Sequence, residues 1–446
     1  MQYIITIFDY LLLPVYLYIF YFIVKKRSSK YPDPELRKYY FTSFYLHMFG
    51  AVAYAMMVQY YYGYGDSFIF YYGGNYLSSQ VAQDAGNIKY FLKSAAEVKS
   101  WYDAEVGDIS YAGYFGIASN LFIMKISAVF SLFAFNKYLI ITLFFGFFSF
   151  AGQWRLFLVF KDINKDRELK MLAWAILFIP SVWFWGSGLI KDSICIGGIG
   201  FIIYFLYHLL IKKEFSIRNI IGLVILVYVV DVIKSYIILG LIIGLAVFIF
   251  YKFVTPFKNA VIRAFITLAF LFGVLIVAFV TNFSDQLQLF AEESMVQINS
   301  FQKNYDAAQN EDERSKATMA MKDMDLSIQG MIIQSPLKIF TCLFRPFIWE
   351  SQKIFILMSA LESLLLLLAT VYMLVKLKFY RFFIEIFNNP FVLVAFIMSI
   401  FFALIIGFTT YNFGTMARYK IILLPFYFFT LVSLYTTWQD KKKKSA

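Results

Sequence analysis

The sequence predicts an all-α, polytopic integral membrane protein. Hydrophobic residues make up 61% of the 446 positions and charged residues only 15%, whereas about a quarter of the residues in a soluble globular protein are charged. Apolar stretches of about 20 residues, the length that a helix needs to cross ~30 Å of hydrocarbon, recur along the chain. The alternating pattern of a β-barrel does not occur, so a single helical membrane domain over 1–446 accounts for the composition.

Eleven stretches are long and apolar enough to be predicted as transmembrane helices. The first is not a cleavable signal peptide in form, because its basic residues follow the apolar part rather than precede it. The predicted spans are 3–24, 39–62, 138–160, 171–190, 193–211, 219–232, 236–254, 260–281, 354–375, 388–409 and 419–437.

Basic residues in the short loops set the predicted orientation. A net charge of +12 is also found in proteins that bind nucleic acids. Here, however, the lysines and arginines cluster beside the spans, as the positive-inside rule expects. We therefore expect membrane lipids, and no nucleic acid, around the chain. The lysine run 441–444 should be cytoplasmic and the N-terminus outside. Two regions with acidic loops, 63–135 and 282–353, should face outward.

The stretch 113–135 is apolar enough to be a twelfth span. A crossing there would move the basic loop 161–170 to the outside, against the positive-inside rule. It would also place Lys125 in the bilayer, at a cost of roughly 3 kcal/mol. We therefore predict a helix that lies in the outer interface or dips into the membrane.

One carboxylate occupies an unusual position where the second predicted span ends. The segment 60–76 reads YYYGYGDSFIFYYGGNY and places Asp66 among aromatic and glycine residues at a bilayer surface. Asp66 is the candidate general base. The alternative is an aspartate that only forms a turn after Gly65.

Cationic residues at the outward ends of other spans are the second functional signal. Lys191, Lys234, Arg345 and Arg418 would face the same side of the membrane as Asp66. Together they would form a cationic rim that suits a lipid head group with a phosphate or diphosphate, since guanidinium binds phosphate oxygens in a bidentate fork. The alternatives are local ion pairs, helix caps and interfacial snorkelling.

Four residues that often bind metals do not form a metal-binding pattern here. Cys195 and Cys342 are far apart in apolar surroundings, and His47 and His208 each lie within a predicted span. They predict neither a disulfide framework nor a metal site. No Walker, Rossmann or nucleophile-elbow pattern occurs either.

Four segments together give the chain a resemblance to a known family. They are GYGDSFIFYY, GYFGIASNLF, the WxSGxxKD-like turn WGSGLIKD, and RYKIILLPF. Between about 39 and 426 the chain resembles bacterial polysaccharide polymerases of the EpsG and Wzy kind. These are in turn similar to GT-C glycosyltransferases, which use polyprenyl-linked sugars.

The resemblance implies a GT-C-like fold and a multi-pass protein of the bacterial inner membrane. The implied reaction transfers saccharide from a polyprenyl-(di)phosphate donor to a saccharide or lipid-linked acceptor at the outer face. Asp66 matches the catalytic acid of the first outer loop and Arg418 the contact to the lipid phosphate. Tyr71 and Tyr72 would stack on sugar rings or lie in the interfacial aromatic belt. Many GT-C enzymes have two adjacent acids where this chain has Asp66 and Ser67. We therefore predict no cofactor, and whether the protein uses a divalent cation stays open.

Two other functions compete with a polymerase or transferase. A transporter or flippase of lipid-linked saccharides would also be helical, with basic loops on the cytoplasmic side. Such proteins, however, show paired repeats with discontinuous helices and short loops. The two long outer regions and the charges gathered at one face favour an enzyme. A structural membrane subunit is the third possibility.

Overall fold

A computed structural model describes residues 4–106, 113–254, 328–351, 354–410 and 413–445, and a few positions between 262 and 273. These residues form helices and connecting turns, with no strand among them. This confirms the all-α class. The helices are α1 Ile7–Ser28, α2 Pro34–Met56, α3 Asp66–Gln83, α4 Ala95–Val106, α5 Ala118–Phe133, α6 Tyr138–Ile163, α7 Leu169–Ile176, α8 Pro180–Trp185, α9 Lys191–Leu210, α10 Ile217–Val254, α11 Ile328–Phe344, α12 Ile354–Leu377, α13 Phe379–Asn388, α14 Pro390–Thr409, α15 Phe413–Tyr419 and α16 Leu424–Ser445.

The chain divides into two compact units. The first comprises Met1–Asp162 and Ile176–Ile238, and the second comprises Ile163–Ala175 and Leu239–Ala446. Helices α1–α6, α8, α9 and the start of α10 belong to the first unit. Helices α7, α11–α16 and the end of α10 belong to the second.

Seven helices in the described ranges are long and apolar enough to cross a membrane, or eight if the bent pair Phe413–Ile422 and Leu424–Lys444 is one span. This confirms a polytopic membrane protein. The predicted spans 219–232 and 236–254 fall in one helical run, Ile217–Val254, in which Lys234 has non-helical angles. The kink at Lys234 divides this run into two helical parts, so its 38 residues do not form one straight helix.

The predicted span 171–190 is not a continuous helix. It contains most of α7, which ends at Ile176, and the separate short helix α8. Pro180 opens α8 at its first position, where the missing N–H costs nothing, and proline disfavours helix in the residue before it. The helix therefore breaks between 176 and 180.

The two regions predicted to face outward are described only in part. The stretch 113–135 contains α5, whose 16 residues extend ~24 Å, less than the hydrocarbon thickness. Its Lys125 ammonium donates a 2.9 Å hydrogen bond to the carbonyl of Lys93. In the second region α11 begins at Ile328, and the predicted span 260–281 and the loop 282–327 lie almost entirely outside the described residues.

Asp9 explains why a carboxylate is tolerated in the first span. It is fully buried, and its Oδ2 accepts hydrogen bonds from the backbone N–H and the hydroxyl of Thr6 at 2.9 and 2.7 Å. Its Oδ1 accepts the backbone N–H of Leu139 at 3.0 Å. Asp9 therefore caps the first turns of both α1 and α6, where N–H groups lack helical partners.

Glycines allow α6 and α9 to approach each other closely. A Cβ atom added to Gly152 would lie 2.0 Å from the carbonyl oxygen of Gly197, and one added to Gly200 would lie 2.1 Å from that of Gly152. Small residues of this kind let membrane helices pack backbone to backbone. The close approach fixes α6 against the helix that begins at Lys191.

We expect Gly152→Ala to lower the free energy of unfolding by about 1–3 kcal/mol, because the methyl group must displace the backbone of α9. Alanine is the better helix former, so a loss would report the contact alone. Thermal unfolding of the detergent-solubilised protein measures it. Gly113→Ala is the matched control, since nothing lies within 4 Å of its added Cβ. Equal stability of the two variants would contradict the close approach.

Candidate functional site

Asp66 lies at a sharp exit from a candidate span. Helix α2 continues as a π-helical segment, Met57–Tyr62. Gly63 (φ 69°) and Gly65 (φ 131°) then take up conformations that residues with a side chain rarely adopt. Helix α3 begins at once with Asp66, which is partly exposed. Its carboxylate is favoured by the positive end of the α3 dipole.

Tyr114 links Asp66 to the second motif, GYFGIASNLF. Burial raises the pKa of the Tyr114 phenol, and the negative charge of Asp66 raises it further. The segments GYGDSFIFYY and GYFGIASNLF are therefore neighbours in the first unit. Helices α3 and α5 also pack directly, since a Cβ added to Gly74 would lie 2.6 Å from the hydroxyl oxygen of Ser127.

The two tyrosines predicted to meet sugar occupy different environments. Tyr71 is 9% exposed, its hydroxyl donates to the carbonyl of Asn136 at 2.9 Å, and its ring packs on that of Tyr138 at 5.4 Å. These contacts give Tyr71 a packing role. Tyr72 is partly exposed, so its ring can still meet a ligand.

Lys191 and Lys234 come together at the first turn of α9. The Lys234 ammonium forms a 2.5 Å ion pair with Asp192 Oδ1, and the two side chains are only 9% and 1% exposed. Lys191, the first residue of α9, donates a 2.8 Å hydrogen bond to the hydroxyl of Ser119. The three charged groups leave a net charge of +1 beside the N–H groups of a helix N-terminus, which themselves attract anions.

The break in α10 accounts for the position of Lys234. Its angles, φ −150° and ψ 85°, are extended rather than helical. The residue that departs from the helix is the same residue that forms the buried ion pair with Asp192. The predicted turn near Lys234 is thus a real interruption of the helix.

Arg345 and Arg418 belong to the second unit. The Arg345 Nε lies 3.1 Å from both carboxylate oxygens of Glu350. Partial burial alone would raise the pKa of Glu350, but the hydrogen bonds from Arg345 and from the Phe347 N–H outweigh it and lower that pKa. The Arg345 guanidinium also lies 5.1 Å from the ring of Phe413. Phe413 begins the short helix α15, which also contains Arg418.

Lys420 is a functional candidate that sequence reasoning underestimated. At the start of a predicted span, Lys420 would be expected to snorkel to the interface, yet it is fully buried. Its ammonium donates to the hydroxyl of Ser363 at 2.5 Å and to the carbonyl of Arg345 at 3.2 Å. The apolar run IILLPF that follows Lys420 was the signal for an interior position.

The structure thus divides the predicted rim into two groups. Asp66, Lys191 and Lys234 share the first unit, and Arg345 and Arg418 share the second. Their convergence on one pocket stays a prediction. In the described ranges, no group of three or more His, Cys, Asp or Glu residues could hold a metal ion.

Comparison of the chain with protein-family models, with curated proteins and with solved structures finds no match.

We expect Asp192→Asn to lower the free energy of unfolding by about 3–5 kcal/mol, because it leaves the Lys234 ammonium buried without its counter-charge. Adding Lys234→Met should recover part of the loss, since the double variant buries no lone charge. Thermal unfolding of the four proteins of this cycle measures the coupling. Strictly additive losses would show that the ion pair does not contribute to stability.

Proposed function

We propose that the chain is a membrane-embedded glycosyltransferase or polysaccharide polymerase. It takes saccharide from a polyprenyl-(di)phosphate donor at the outer face of the bacterial inner membrane. The observation that carries the proposal is that the ammonium of Lys234 lies against Asp192 in the first turn of α9, the turn that Lys191 begins, in the same unit as Asp66. An acid and an anion-binding group are the two elements that this transfer requires.

The start of α9 suits the phosphate of the donor. Lys191 and Lys234 bring two ammonium groups to the first turn of α9, and a helix N-terminus contributes N–H donors. Preorganised cations of this kind stabilise the charge that builds on a leaving phosphate. Asp192 would act as a positioning residue, since it holds Lys234 in place at 2.5 Å.

Asp66 suits the acceptor hydroxyl. It is partly exposed and is the first residue of helix α3. A general base within hydrogen-bond reach contributes roughly 10²- to 10⁴-fold to a rate. The partly exposed Tyr72 follows on the same helix.

Arg345 and Arg418, the two cationic candidates of the second unit, contribute less to the proposed site than Lys191 and Lys234. Arg345 is engaged by Glu350, which leaves it fewer donors for a phosphate. Arg418 is partly exposed, and its guanidinium lies 5.1 Å from the ring of Tyr419. We assign Arg418 to the lipid phosphate on the strength of the family resemblance.

A flippase or transporter is the second candidate, and one observation favours it. Lys234 interrupts an otherwise continuous helical run, and discontinuous helices with charged residues at the break mark substrate sites in transporters. Such a protein would move lipid-linked saccharide between leaflets without making a glycosidic bond. A transferase would extend the saccharide.

We expect Asp66→Asn to lower polymer formation at least 100-fold at normal membrane abundance, because the amide cannot accept a proton. The assay complements a strain that lacks the gene and determines the length of the surface glycan and of the lipid-linked saccharide. Asp84→Asn makes the same change in the same outer region, where Asp84 only accepts the backbone N–H of Gly86 at 2.8 Å. It should leave the polymer unchanged.

Normal polymer from Asp66→Asn would refute the assignment of the base. A flippase predicts a different result in the deletion strain. The lipid-linked saccharide would keep the same length as in the wild type, but it would accumulate in the cytoplasmic leaflet.

A further inference from the structure

The second unit brings a set of basic residues to one end of its helices. Candidate spans α12 and α14 are joined only by 378–389, which contains α13, so their adjoining ends lie at the same membrane surface. The end of α16 lies there too, because Lys441 forms an ion pair with Glu385 of α13. We call this end the basic corner; it contains Lys376, Lys378, Arg381 and the lysine run 441–444.

The basic corner carries a large excess of positive charge. The corner has seven basic residues, and one of them, Lys441, is paired with the carboxylate of Glu385. Subtracting this one negative charge from seven positive charges leaves six. Asp440 adds nothing to the count because Arg167 pairs with it. An excess of this size needs anions from outside the protein.

Helix α13 gives the corner an apolar edge. Phe382 and Ile386 are buried, whereas Phe379 is 70% exposed and Tyr380 54% exposed. Exposed aromatics at the end of a membrane span, beside basic side chains, are typical of a helix that lies in the lipid interface.

Aromatic rings also hold several of the cations. The Lys376 and Lys442 ammonium groups lie 5.5 and 5.7 Å from the ring of Trp438. Arg381 donates a 2.9 Å hydrogen bond from Nε to the hydroxyl of Tyr380. The positive charges are therefore arranged next to the rings that would enter the interface.

We propose that the basic corner binds the head groups of anionic phospholipids. Basic residues that directly follow membrane helices attract the negative surface of a leaflet, and Phe379 and Tyr380 would occupy the adjoining acyl boundary. A soluble phosphate would satisfy the charge but leave these rings in water, so the phospholipid is the better fit. This inference is independent of the proposed enzymatic function.

The test measures retained lipid by native mass spectrometry of the full-length protein after exchange into mixed micelles of phosphatidylglycerol and phosphatidylcholine. The variant K376Q/R381Q/K442Q spares Lys441, which pairs with Glu385. We expect the wild type to prefer phosphatidylglycerol. The variant should bind phosphatidylglycerol roughly 100-fold more weakly, because each of the three removed charges is expected to contribute about fivefold to the affinity.

The matched control is K89Q/K93Q/K99Q, which removes the same charge from 89–99, a stretch that lies outside the candidate spans. It should keep the preference. An equal loss in both triple variants would overturn the proposal, because the attraction would then follow net charge alone.

Two measurements on the wild type need no variant. Phosphatidylglycerol retention should fall as sodium chloride rises, and inorganic phosphate should displace the lipid no better than chloride at equal ionic strength. A lack of preference for phosphatidylglycerol, or selective displacement by phosphate, would overturn the proposal.

Discussion

A charged side chain in an apolar helix must have a partner, and the organisation of both units follows from this constraint. Asp9 caps two helices, Asp192 pairs with Lys234, and Lys420 donates to a hydroxyl and a carbonyl. Each of these contacts joins segments that are distant in sequence. The buried charges therefore link helices that are distant in sequence, in addition to the close packing at glycines such as Gly152.

The same constraint separates charges with a structural role from charges that remain candidates for function. Asp9 is fully buried and its hydrogen bonds serve helix N-termini, so its role is complete within the fold. Asp66 and Lys191 differ because they lie at the ends of helices and keep some exposure. A carboxylate and an ammonium at such places can meet a ligand without the cost of an isolated buried charge.

The role that we propose for the basic corner gives charge a second use, away from Asp66 and Lys191. The lysines and arginine of the corner lie beside aromatic rings at the ends of candidate spans. The basic corner lies in the second unit, whereas Asp66, Lys191 and Lys234 lie in the first, so substitutions can test the two proposals separately.

The helical class and most span positions follow from sequence, because the length of a membrane helix and the hydropathy it needs are local properties of about 20 residues. Local properties also placed the charges of Asp66, Lys191 and Lys234 at span ends. Only the tertiary structure decided that Lys234 pairs with Asp192 and that Lys420 is interior. Such pairings depend on how helices rotate and cross, which the spacing of residues along one chain does not encode.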